Sequence, residues 1–81
     1  MWLQPRSLTL RVIDQHGEET PVTTTGTSRL DKVFKEYAET HGFPYNFSVK
    51  FSMNSVELEG WDTPNYLDLK DGDRIDVIKV T

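Results

Sequence analysis

The sequence predicts an α+β domain, a mixed sheet of four to five strands in the order ββαββ with one covering helix. Three observations carry this. Apolar residues alternate with a period of two near both ends of the chain, one central stretch has helical spacing, and residues 54–73 hold no credible second helix. A sheet with one apolar face needs a cover, and one amphipathic helix supplies it. The chain has 81 residues, 36% of them apolar, which suits one domain around one core. The expected stability is small, about 4–12 kcal/mol.

Residues 1–6 read as a lead-in and 7–81 as the domain, because Pro5 cannot donate to a sheet ladder. From Ser7 to Ile13, Leu8, Leu10 and Val12 fall on one face, while Thr9 and Arg11 fall on the other. Asp14, Gln15, His16 and Gly17 form a turn. Residues 18–25 then make a second strand, which Pro21 puts near an edge. Ser28 is an expected helix N-cap, with Asp31 as a short capping-box acid. Leu30, Val33, Phe34, Tyr37 and Ala38 form the apolar stripe of a helix over 29–41, which Gly42 ends and Pro44 keeps from restarting. Val49, Phe51 and Met53 mark a third strand, Asn54 and Ser55 a turn, and 56–58 a short fourth strand. Residues 59–64 form a loop, and Leu67 and Leu69 anchor an irregular stretch. After the turn at Asp71, Gly72 and Asp73, Ile75 and Val77 open the last strand, with Val80 near its end. The first and last strands carry the strongest alternation, so they lie centrally, side by side and parallel, joined by a crossover that includes the helix. This arrangement is a β-grasp; a ferredoxin-like sandwich would need a second helix.

Composition narrows the function classes. Nine Lys and Arg against 13 Asp and Glu give a formal net charge of −4, which disfavours direct nucleic-acid binding. The absence of Cys excludes a disulfide framework, a thiolate zinc site and a cysteine nucleophile. No apolar run approaches the ~20 residues a membrane helix needs, and the N-terminus lacks a signal-peptide pattern. His16 and His41 have no partners at metal-ligand spacing, and no catalytic constellation stands out. The expectation is a cofactor-free, non-enzymatic binding domain, monomeric in isolation and nuclear or cytoplasmic.

The order and spacing of several segments resemble the SUMO branch of the ubiquitin-like proteins, over most of the chain from Leu8 to Val80. Leu8-Thr9-Leu10-Arg11-Val12 looks like that family's first strand. Residues 30–42 look like its helix, with Tyr37 at the usual aromatic place. Asp62-Thr63-Pro64 with Leu67 and Leu69 looks like its threonine-proline loop, and residues 71–77 look like its acidic turn and final strand. The acidic turn running into Ile75-Asp76-Val77 is a SUMO rather than a ubiquitin trait. A mature SUMO ends in a diglycine tail, whereas this chain stops at Thr81 without one. The resemblance therefore implies either a SUMO-like domain that docks without conjugating, as in scaffold proteins of genome maintenance, or a modifier lacking its tail.

The resemblance also implies two docking surfaces. One is a groove between the second strand and the helix, where SUMO-interaction-motif peptides add a strand. Its floor here would be Val22, Thr24, Val33 and Tyr37, with Lys32 at the rim. Thr23 and Thr25 stand where SUMO has lysines, so strong binding of such peptides is not expected, and a solvated edge strand is the preferred reading. The other is an acidic patch that meets the SUMO E2 conjugating enzyme. Asp68, Asp71 and Asp73 match it, while Asn54 takes the place of a further acid and Ser55 that of a glycine; Phe47 looks like an insertion that can shift this alignment by one. Ordinary solvated turn acids are the competing reading. Trp2 and Trp61 are expected to fold back as lids over the core rather than to anchor an interface. The best overall reading is a SUMO-like protein-interaction module, most specifically one that docks the E2.

Overall fold

A computed structural model describes residues 7–43 and 49–79. The elements are β1 (Ser7–Ile13), β2 (Glu19–Thr25), α1 (Leu30–Thr40), β3 (Val49–Met53), β4 (Val56–Glu57) and β5 (Arg74–Lys79). They form a five-stranded sheet in the order β2-β1-β5-β3-β4. β1 and β5 run parallel in its interior, and the remaining pairs are antiparallel. This is the α+β β-grasp that the alternation predicts. The lead-in at 1–6, Trp2, Pro44, Phe47 and Val80 lie outside the described residues.

The inward positions of the strands build the core. Leu8, Leu10 and Val12 of β1, Phe51 of β3, and Ile75 and Val77 of β5 are buried against Leu30, Val33, Phe34 and Tyr37 of α1. Phe34 and Phe51 stack nearly parallel, with ring centroids 4.0 Å apart, and Tyr37 meets Phe51 edge-on at 5.9 Å. Among the described residues no polar or charged residue is buried. The opposite sheet face carries paired charges: Arg11 with Glu19 at 3.3 Å, Lys50 with Glu57 at 3.4 Å and Arg74 with Asp76 at 2.8 Å. These are exposed pairs and contribute little individually.

The helix starts differently from the sequence expectation. Its N-cap is Arg29, in extended conformation and without a side-chain cap, and not Ser28. The Ser28 hydroxyl is already engaged with the Thr25 hydroxyl at 2.8 Å. The open amides at the helix start are met by backbone instead: Leu30 N–H donates to the Asp62 carbonyl at 2.8 Å and Asp31 N–H to the Gly60 carbonyl at 2.9 Å. At the other end Gly42 takes φ +75°, its amide bonds the Glu39 carbonyl, and Phe43 N–H reaches the Ala38 carbonyl. That is the Schellman arrangement expected of a glycine after a helix.

The loop at 59–69 is firmly tied. Besides capping α1, it donates from Asn65 N–H to the Gly26 carbonyl at 3.0 Å, and the Asn65 side chain covers the place where a Gly26 Cβ would sit. Pro64 and Leu69 fill the core edge. Trp61 does not act as a lid: it is 69% exposed. It stands between Gly60 and Asp62, whose carbonyls both accept amides at the helix start.

Candidate functional site

The acidic residues singled out above gather where β5 begins. Register pairs Arg11 of β1 with Arg74 of β5, and Gly72 N–H donates to the Thr9 carbonyl at 2.8 Å, which fixes the 71–73 turn beside β1. Ser52 of β3 pairs with Asp76 of β5, so the 54–55 turn lies at this same end of the sheet. Asn54 and Ser55 have φ of 52° and 68°. Two successive positive φ values between paired strands make the tight two-residue hairpin that suits the sheet's twist. Asn tolerates this backbone; Ser pays strain where a glycine would not.

The carboxylates have internal duties. Asp71 Oδ1 accepts the Thr9 amide at 2.7 Å, and Asp73 Oδ2 accepts the Lys70 amide at 2.8 Å. Asp68, exposed and at φ 56°, lies 3.3 Å from Lys70 Nζ. Arg11 Nε donates to the Gly72 carbonyl at 2.8 Å. The rim is thus a set of oriented acids with cations interleaved. Each carboxylate still has lone pairs that a basic partner can meet.

The second predicted surface also exists. β2 is an outer strand, and between it and α1 runs a groove of about 280 Å³. Val22, Thr24, Lys32 and Val33 line it as expected. Tyr37 does not. Its ring is buried on Phe51 and turned toward His41 and Phe43, and it borders a separate cavity of about 140 Å³ with Asp14, His16, Val77 and Lys79. Burial pushes the Tyr37 phenol up in pKa, with Asp14 and Glu18 adding to the shift. Sequence reading missed Glu36, which lines the groove together with Ser28 and Lys32. The signal was available: 32 and 36 are four apart and share one helix side. The groove wall is rich in hydroxyls, from Ser7, Thr23, Thr24, Thr25 and Ser28.

Among the described residues no cluster of three or more His, Cys, Asp or Glu is placed to hold a metal. His41, the helix C-cap, bonds Thr20 through Nε2 at 2.9 Å and holds Nδ1 3.8 Å from Glu18. It therefore ties the first hairpin to the helix. No helix among the described residues is long and apolar enough to cross a membrane.

Comparison with known proteins agrees with this architecture. Small ubiquitin-related modifier 3 of Arabidopsis thaliana is 29% identical to the chain over 76 residues, covering 94% of the chain and 68% of the modifier. The profile of a family described as ubiquitin-2 like Rad60 SUMO-like matches residues 8–78, from the first residues of β1 almost to the end of β5. The chain belongs to this family of SUMO-like, ubiquitin-fold domains.

Proposed function

We propose that this domain is a non-covalent docking module of the SUMO pathway, and that its partner is the SUMO E2 conjugating enzyme, met at the acidic rim. Domains of this family are in general protein-binding modules rather than catalysts. The observation that carries the reading is the fixed orientation of Asp71 and Asp73, each held by a backbone amide beside the exposed Asp68. Carboxylates fixed in place steer a basic partner and set its register without the entropy cost of ordering them on contact. An intracellular site of action, nuclear or cytoplasmic, and a scaffold role in genome maintenance go with this reading.

Calorimetric titration with the E2 tests it. Asp71→Asn with Asp73→Asn keeps an acceptor for each amide and removes both charges, and Asp68→Lys reverses a charge that serves no backbone bond. The triple variant is expected to weaken binding by about tenfold or more and to flatten its salt dependence. Unchanged affinity and salt dependence in a folded variant would sink the proposal.

The likeness to a protein named as a modifier supports a second reading, in which this is the folded part of a SUMO-type modifier. The native gene product, carrying whatever follows Thr81, would then form an ATP-dependent thioester with a SUMO-activating enzyme. Absence of that adduct leaves the docking module standing.

A further inference from the structure

The outer edge of β2 has an unusual pattern of open backbone groups. Thr9 and Arg11 direct their backbone bonds toward the 71–73 side, while Asp14 N–H meets the Glu18 carbonyl. Along an antiparallel ladder these directions alternate. Leu8, Leu10 and Val12 therefore bond Thr24, Val22 and Thr20, and the backbones of Glu19, Pro21, Thr23 and Thr25 face outward. Pro21 has no N–H to offer. The Thr25 carbonyl is occupied by Ser28 N–H at 3.2 Å. Among the described residues, what remains open there is the amide and carbonyl of Thr23, the carbonyl of Pro21, the amide of Thr25 and, at the start of the strand, both groups of Glu19.

That set is self-complementary. When two β2 strands meet antiparallel about a two-fold axis at Thr23, each Thr23 exchanges both bonds with Thr23 of the other copy. Each Thr25 amide then meets the carbonyl of Pro21 in the other copy. The one donor that Pro21 lacks falls opposite the one carbonyl that Ser28 already fills. From Pro21 to Thr25 the register leaves none of these groups without a partner, and Glu19, opposite Thr27 past the end of the strand, keeps its water; a shift by two residues breaks the match.

The helices agree with this register. α1 runs antiparallel to β2, since Ser28 bonds Thr25 at one end and His41 bonds Thr20 at the other. Lys32 and Glu36 both line the groove, Lys32 toward the Thr25 end. The same two-fold axis brings Lys32 of one copy to face Glu36 of the other, twice. We infer that β2 and the groove beside it form a self-association surface, on which a second copy of this chain continues the sheet edge to edge. Val22 and Thr24 of the two strands would close the groove floor beneath the two ion pairs. The inference uses none of the carboxylates of the acidic rim, which lies one strand away on the far side of β1. One edge strand and one helix side make a small interface, of the weak class below ~1,200 Å².

Sedimentation of the 81-residue chain between about 10 µM and about 1 mM reads the association directly. The expected result is a concentration-dependent dimer whose Thr23 and Thr25 amides shift in NMR spectra as it forms. Lys32→Glu alone places acid opposite acid and is expected to weaken the dimer about tenfold or more; Glu36→Lys alone does the same with bases. Lys32→Glu combined with Glu36→Lys restores facing opposite charges and is expected to return the dimer to within about threefold of the native constant. Far-UV circular dichroism confirms that each variant is folded. A monomer throughout the range overturns the inference. So does a dimer insensitive to both single changes, a double variant as weak as the singles, or amide shifts confined to another face.

Discussion

The two rims of this sheet invert what their side chains suggest. The rim at the start of β5 is rich in carboxylates, yet Asp71 and Asp73 each spend an oxygen on a backbone amide, and Asp68 lies beside Lys70. The β2 rim looks bland, a run of threonines, yet it leaves backbone donors and acceptors open in a complementary order. The first rim invests charge in its own turn and presents what is left over. The second keeps most of its outward backbone groups for solvent or for another strand, with only the Thr25 carbonyl committed to Ser28. A charged surface is thus not automatically a free one, and a neutral surface is not automatically inert.

Substitutions at five positions test that contrast. The largest effect is expected at Gly26, where the end of β2 touches the 59–69 loop. A Cβ there runs into the Asn65 side chain, so Gly26→Ala is expected to cost about 1–3 kcal/mol in chemical denaturation. Asp71→Ala removes the acceptor of the Thr9 amide and is expected to cost about 1–2 kcal/mol, with Asp71→Asn costing clearly less. If alanine and asparagine prove equally harmless, Asp71 has no internal duty and the contrast between the rims collapses. Ser55→Gly relieves a positive φ and is expected to stabilise by about 1 kcal/mol. Thr23→Ala loses only the hydroxyl contact with Thr9 at 3.2 Å, and the melting curve should register under about 1 kcal/mol.

The last effect is a slope rather than a step. Asp14 accepts the amides of Glu18 and His16 at 2.9 and 2.8 Å, and the Glu18 bond is the main reason its pKa is lowered. A carboxyl depressed in the folded state stabilises fully above its unfolded pKa, and that contribution is lost as pH falls through the folded value. Asp14→Asn is expected to flatten the acid limb of the stability profile below the ordinary Asp range while leaving the neutral plateau lower. An acid limb of unchanged slope would assign that part of the profile to other carboxyls.

Much of this was legible in the residues. The alternation of Leu8, Leu10 and Val12 and the helical stripe from Leu30 to Ala38 specify a strand and a helix by period alone, because side-chain direction repeats every 2 residues in one and every 3.6 in the other. Asn54 and Ser55 mark a hairpin by composition. The groove was legible through Val22, Thr24, Lys32 and Val33, and its missed member Glu36 follows from the same helical period.

Other features depended on distant neighbours. Ser28 has the right chemistry for an N-cap, but Thr25 takes its hydroxyl and the 59–69 loop supplies the caps from some thirty residues away. Tyr37 shares a helix face with Val33, yet packing on Phe51 carries its ring out of the groove. Trp61 faces solvent in a loop whose Gly60 and Asp62 carbonyls are committed to the helix start.

Periodicities, turns and the single amphipathic helix could be read from the residues alone, because each rests on contacts within a few residues, and their order pointed to the β-grasp although its central β1–β5 pairing joins the two ends of the chain. Which polar groups are already spent and which remain open depends on how the elements pack. A hydrogen bond is shared between two partners, and here the partners of Thr9, Thr25, Leu30 and Asp31 are fixed by how the sheet, the helix and the long loop meet.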